Sequence, residues 1–370
     1  MKKWMPWVMG IGLATWCEAK ELRRTFEDTA FLGHGEAGIA NVSGIPSLYY
    51  NPAGLGRGED QAQQISILDP QVIASDEILD AARNPEKYRN LKLTPTETVD
   101  QVEGKNLYVG AQNFSGGVVN HMAFGLIGGA YSNLSIDLLD VNLDKSQLLL
   151  EAVSHYGFIS GYGKEVAKNL YVGASLHVLE KSDIYYPGTV LQLGTVFLNK
   201  NSKDGPSTSE LLKDQLSQGK GRGMGVDVGM IYTKPHPYLD ISYGIAVQDV
   251  GTTSYSDRNV RRDKQMVTVG TSLDTNINSQ NMVASLDYLD VLNASGEATA
   301  KHILFGVSSN YHQWVGFSMG LHQGYPVAGT WVSVGVLKVE YSYIVSEVGD
   351  RVGENSSRRQ AFHMRLGWDF

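Results

Sequence analysis

The stretch Phe362-His363-Met364-Arg365-Leu366-Gly367-Trp368-Asp369-Phe370 decides the fold. Successive side chains of an extended strand point to opposite faces. Phe362, Met364, Leu366, Trp368 and Phe370 therefore share one face, and His363, Arg365, Gly367 and Asp369 share the other. In a soluble sandwich the apolar face is core; in a transmembrane barrel it meets lipid, and the polar face lines the lumen. The segment before it repeats the pattern, with Leu337, Val339, Tyr341, Tyr343 and Val345 opposite Lys338, Glu340 and Ser342. Alternation alone fits both architectures; the terminal Phe370 and an export leader favour the barrel.

Moving upstream, Leu239, Ile241, Tyr243, Ile245 and Val247 oppose Asp240, Ser242 and Gln248. Met224, Val226, Val228 and Met230 oppose Gly225, Asp227 and Gly229. Leu170, Val172, Ala174, Leu176 and Val178 oppose Tyr171, Ser175 and His177. Small residues on the polar face suit a wall that something approaches closely. About fourteen strands follow from this spacing, near 63–72, 106–115, 120–140, 147–163, 168–184, 222–233, 238–251, 264–274, 280–290, 300–310, 313–322, 325–335, 337–346 and 358–370. An even number lets an antiparallel sheet close on itself. The connections mostly alternate between long and short, as the outer loops and periplasmic turns of such barrels do; the tight Gln323-Gly324 breaks the parity. Two long connections, Ser75 to Tyr88 and Ser207 to Ser217, have helical spacing. They read either as covers for the barrel mouth or as a capture surface.

At the other end of the chain, Lys2 and Lys3 precede the apolar stretch Trp4 to Trp16 and the small-residue end Cys17-Glu18-Ala19. This is the layout of a cleavable signal over residues 1–19. Lipidation at Cys17 is the alternative, disfavoured by the bulky Trp16 before it. Cys17 is the sole cysteine of the 370 residues, so a processed chain has no disulfide. The net charge of −8 argues against nucleic acid as a partner. A mean hydropathy of −0.19 conceals a membrane band if apolar and polar residues alternate.

Residues 20–60 differ in kind from the rest, which we assign to the barrel (61–370). From Thr29 to Gly58 the chain is rich in Gly and Ala and lacks strand alternation. Its apolar residues, Phe31, Leu32, Ile39, Ile45, Leu48, Tyr49, Tyr50 and Leu55, favour a plug in the lumen over a solvated tail.

Here the chain resembles a family. Gly35-Glu36-Ala37-Gly38-Ile39-Ala40, followed by Tyr49-Tyr50-Asn51-Pro52-Ala53-Gly54-Leu55, is similar to the hatch-to-barrel junction of FadL-type fatty-acid and hydrocarbon transporters and their PorV-like relatives. Gly223-Met224-Gly225-Val226-Asp227-Val228-Gly229 and Val247-Gln248-Asp249-Val250-Gly251 resemble the PorV-like branch. The resemblance implies an all-β, fourteen-stranded transmembrane barrel in the outer membrane, with an N-terminal hatch gated at Tyr49 to Leu55. It also implies capture of an apolar molecule at the outer loops, transfer to a lumen pocket, and release through a gap in the wall when the hatch shifts. The PorV-like alternative is a barrel that partners or anchors secreted proteins without transport.

No motif speaks for an enzyme. His34, His121, His155, His177, His236, His302, His312, His322 and His363 show no ligand pair at short helical spacing, so neither metal nor other cofactor is expected. Ser43 and Ser47 near His34 lack a nucleophile elbow, and no serine and histidine fall together on the outer wall as in outer-membrane lipid hydrolases. His177, Asp227, Asp240, Glu340 and Arg365 are the polar lumen candidates, with Glu340 and Arg365 expected to pair across the last two strands. Phe362, Met364, Leu366, Trp368 and Phe370 form the expected assembly signal for the barrel-assembly machinery. The other partners expected are outer-membrane lipids and a hydrophobic small molecule.

Overall fold

The structure, a computed structural model, describes residues 21–57, 63–86, 105–137, 147–189, 217–277, 280–312 and 314–369. The leader, the 190–216 connection with its expected helix, and Phe370 lie outside them. The strands are β1 (Gln63–Leu68), β2 (Gln71–Ser75), β3 (Asn106–Val119), β4 (Met122–Asp137), β5 (Gln147–Ala167), β6 (Leu170–Thr189), β7 (Ser217–Lys234) and β8 (Asp240–Gln248). They continue with β9 (Met266–Ile277), β10 (Gln280–Tyr288), β11 (Ile303–Tyr311), β12 (Val315–His322), β13 (Tyr325–Val334), β14 (Leu337–Glu347) and β15 (Ser356–Asp369). From β3 onward each strand pairs antiparallel with the next. β1 and β2 both lie between β15 and β3, closing the sheet. These two share one stave, which makes a barrel of fourteen.

The alternation predicts an unbroken first strand from 63 to 72; the structure interrupts it at Asp69-Pro70. Proline has no N–H to give to a ladder and sits in sheets at edges or irregularities. Side chains bridge the interruption on one flank. Asn113 Oδ1 accepts from the Asp69 N–H at 3.0 Å, and the Ser115 hydroxyl donates to the Ile67 carbonyl at 2.8 Å. On the other flank the Pro70 carbonyl still accepts from Met364 N–H at 3.1 Å.

The alternation read from the sequence decides which face is which. Met224, Phe317 and Met319 are 64%, 62% and 66% exposed on the outside, part of an outward apolar surface that suits hydrocarbon. The inward-facing Asp227, Ser242, Ser272, Glu340 and Ser342 are buried within. The short connections, at Asn120-His121, Lys168-Asn169 and Gly335-Val336, mark the periplasmic end. Exposed Tyr162, Tyr232, Tyr238, Tyr311, Trp314 and Trp368 gather toward that end, as an interfacial aromatic girdle does. Asn120 and His121 have φ of 48° and 67°, and Gln323 and Gly324 have φ of 50° and 86°, the positive pairs that two-residue hairpins use.

The out-of-parity turn at Gln323-Gly324 has a physical reason. Gln323, fully buried, donates from Nε2 to the Leu22 carbonyl at 2.8 Å and accepts from the Glu347 N–H at 3.2 Å. The turn is folded onto the start of the N-terminal segment. Among the outer connections, α2 (Asp76–Arg83) supplies the first expected helix.

Residues 21–57 lie against the inner faces of the strands. Glu21 accepts from Arg359 Nη1 at 2.6 Å near the outer end. Asp28 caps α1 (Thr29–Gly33), accepting from Ala30 N–H at 2.9 Å, and α1 packs on β12 to β14. The N–H groups of Gly38 and Ile39 donate to Asp287 Oδ2 at 2.7 and 3.0 Å. A 3₁₀ turn, Pro52–Arg57, rests on β5, β6 and β7. The largest buried apolar cluster joins this segment, through Ile39, Val42, Leu48, Tyr50 and Leu55, to wall residues such as Phe114, Ile159 and Ile231.

Candidate functional site

Tyr49 and Tyr50, adjacent in an irregular segment, stack on different rings. Tyr49 stacks on Phe26 with ring centroids 4.2 Å apart, and Tyr50 stacks on Phe31 at 4.3 Å. Phe26, Leu48 and Tyr49 line a cavity of about 240 Å³ toward the outer end, with Ile127, Ile159 and Leu179 of the wall. Phe31, Ile45 and Pro46 line a second, of about 320 Å³, toward the periplasmic end. The N-terminal segment stands between the two.

Asn51, Pro52, Ala53, Gly54 and Leu55 are all buried. Asn51 Nδ2 donates to the carbonyls of Ile39 at 3.0 Å, Ile245 at 3.3 Å and Met230 at 3.4 Å, while its Oδ1 accepts from Ala53 N–H at 3.1 Å. One side chain thus ties two parts of the segment to β7 and β8. The Leu55 carbonyl lies 3.0 Å from His121 Nδ1 in the first periplasmic turn.

Of the polar lumen candidates, His177 and Asp227 come together on the outer cavity. His177 Nδ1 is 3.6 Å from Asp227 Oδ2, and its Nε2 is 3.3 Å from Asp249 Oδ1. Glu340 and Arg365 line the periplasmic-side cavity, but the expected pairing is corrected. Glu340 instead contacts Lys338 and His363, whose Nδ1 lies 2.7 Å from Glu340 Oε2, and His363 Nε2 contacts Asp69. The antiparallel register sets His363 directly opposite Glu340 and places Arg365 opposite Lys338, so His363 is the nearer partner. Asp240 keeps its inward parity yet is exposed, because it opens β8 at the periplasmic rim. Phe362, Met364 and Trp368 face outward and are exposed.

The sequence reading missed Asp249, Asp69, Asp287 and Gln323. Each sits at a strand end, a break or an unremarkable strand position, and its partner is 22 to 301 residues away. Within the N-terminal segment, burial pushes the Glu36 carboxyl up to about 7 against the opposing pull of Arg24, whose Nε is 3.7 Å away. The Tyr50 hydroxyl donates to it at 3.1 Å. Burial lowers His34 to about 4.

No protein-family model and no curated protein sequence matches this chain. Solved structures do. The Ralstonia pickettii toluene transporter TbuX superposes with a TM-score of 0.50 at 16% identity, over 93% of this chain and 98% of that one. The Pseudomonas putida toluene transporter TodX follows with 0.41 at 12% identity, over 92% and 96%. LpxR from Salmonella typhimurium gives 0.37 at 8% identity, over 81% and 99%. The chain shares the closed antiparallel barrel fold of TbuX.

Proposed function

We propose that the protein passes small hydrophobic molecules across the outer membrane, with residues 20–60 as a hatch and Tyr49 to Leu55 as its gate. The observation that carries this reading is the pair of cavities along the N-terminal segment, the outer lined by the stacked Phe26 and Tyr49 and the second by Phe31, which stacks on Tyr50, with Asp69 of the broken stave also lining the second. A molecule taken up at the outer cavity needs only a shift of the stacked rings to reach the second. The missing ladder contacts at Asp69-Pro70 then offer a lateral way out. A cavity of about 150 Å³ holds a benzene ring, so the outer cavity suits a ligand of one or two rings. Each buried CH₂ contributes about 0.8 kcal/mol, enough for affinity with little polar specificity. The likeness to a toluene transporter agrees with that size, through the fold alone. The outward apolar rows meet outer-membrane lipid, and the alternating last strand serves the assembly machinery.

The test is extraction and mass spectrometry of protein purified from outer membranes, beside Ala53→Phe and Gly54→Val. An added Cβ at Gly54 would meet the Val42 carbonyl at 2.4 Å, so that variant perturbs the gate. A discrete apolar ligand in the wild type, lost or trapped in the variants, supports passage. An empty barrel that co-purifies with a secreted protein replaces this reading with the PorV-like one.

A further inference from the structure

We infer that His177, Asp227 and Asp249 form a site for a divalent first-row transition cation, such as Zn²⁺, in the wall of the outer cavity. Three elements supply the ligands: β6, β7 and the connection after β8. One donor atom from each lies within 4.8 Å of the other two. Bonds of about 2.1 Å to nitrogen and oxygen set the edge of a tetrahedral site at about 3.4 Å. The separation of 3.3 Å between His177 Nε2 and Asp249 Oδ1 already meets that edge. All three residues border the cavity, which leaves a fourth position to water or to a cavity occupant.

Charge points the same way. Among the described residues the ion pairs of Asp227 and Asp249 are both with His177, while the nearby Lys181 is held by Asp263 at 2.7 Å. Two carboxylates and one imidazolium carry a net −1, whereas two carboxylates, a neutral imidazole and a divalent cation are neutral. Burial favours the neutral set.

The wall is also shaped to hold the imidazole there. A Cβ at Gly225 would lie 2.2 Å from His177 Nε2 and 2.3 Å from Thr253 Oγ1, so only glycine admits both groups. Outer partners orient the carboxylates. Ser175 Oγ donates to Asp227 Oδ2 at 2.9 Å, the Asp249 N–H donates to Asp227 Oδ1 at 2.8 Å, and Thr253 Oγ1 donates to Asp249 Oδ1 at 2.6 Å. A single nitrogen among oxygens suits a borderline cation better than Ca²⁺, which takes six to eight oxygens.

The experiment is equilibrium dialysis of chelator-stripped full-length protein in detergent against Zn²⁺, with bound metal measured by mass spectrometry. The heat-dependent gel shift confirms that every variant is a folded barrel. Wild type is expected to hold one Zn²⁺ per chain, unaffected by excess Ca²⁺. His177→Ala and Asp249→Asn should abolish it. Gly225→Ala, which keeps every ligand but displaces the imidazole, should weaken it about tenfold or more. Stoichiometry unchanged in folded His177→Ala, displacement by Ca²⁺, or no Zn²⁺ on the wild type would each overturn the assignment.

Discussion

Asn51 occupies the space that a side chain at Gly229 would take. A Cβ there would lie 1.8 Å from Asn51 Oδ1, with the Pro52 ring at 3.2 Å. The glycine of the wall and the asparagine of the N-terminal segment are thus two halves of one contact.

Gly229→Leu should therefore dislodge the Asn-Pro-Ala segment while leaving the outer face of β7 intact. Overpacking of this kind costs about 1–3 kcal/mol. The expected outcome is a barrel that still shows its heat-dependent gel shift but is cleaved within residues 21–57 several times faster by added protease. Unchanged cleavage would mean that the segment is held elsewhere.

Asn51→Ala probes the same contact from the other side. It leaves the Ile39, Met230 and Ile245 carbonyls without this donor in a buried setting, and an unsatisfied buried group costs about 1–3 kcal/mol. Hydrogen exchange should rise at Gly38 to Ala53 and stay level in β7 and β8.

The pH response of the segment follows from two buried groups of opposite sign. Glu36 has an ordinary value of 4.5 and about 7 when folded. Its protonated form favours the folded state, so its contribution is full below 4.5, declines as pH rises, and is gone above about 7. His34 moves from 6.5 to about 4. Its neutral form is favoured, so its contribution is full above 6.5 and is lost as pH falls toward 4. The two changes offset each other between 4.5 and 6.5. Protection of the segment from protease should be level there and fall on either side. Glu36→Gln should remove the decline on the alkaline side and His34→Asn the one on the acid side.

Much of the barrel was legible in the sequence because its signal is local. Along β7 exposed Met224, Val226 and Val228 alternate with buried Gly225 and Asp227, and a pattern of period two needs no knowledge of partners. The first stave was misjudged where that period slips. Ile65 and Val72 both face outward although an odd spacing would put them on opposite faces of an unbroken strand, so a shift of parity, together with the missing N–H of Pro70, marks the break. His177 and Asp227 were picked out by inward parity, but their meeting with Asp249 depends on the register of β6 against β7, which sets Ser175 opposite Asp227. Glu340 was assigned the wrong partner because alternation gives the face and not the register.

Glu340 makes the energetic case for that corrected pairing. It is 3% exposed and contacts both Lys338 and His363. Neutralising one member of a buried charged set costs about 3–5 kcal/mol, whereas removing the set together can be close to neutral. Glu340→Gln should lower the urea midpoint of the barrel in detergent markedly. Combining Glu340→Leu with Lys338→Met, His363→Leu and Asp69→Ala, the carboxylate that His363 also contacts, should restore much of it. Additive losses in the combined variant would show that these groups act independently.

Asn113 and Ser115 stand in for ladder hydrogen bonds that the backbone at Ile67 to Pro70 does not make, and each such bond contributes about 1 kcal/mol. Replacing both with alanine should loosen the wall at one place, since the β15 flank keeps the Met364 to Pro70 contact. Hydrogen exchange should accelerate at Ser66 to Gln71, while β5 and β6, which pair without interruption from Gln147 to Glu165, remain protected. If this place is the lateral way out, release of a captured apolar ligand should quicken in the same variant. If exchange rises and release does not, the ligand leaves by another path.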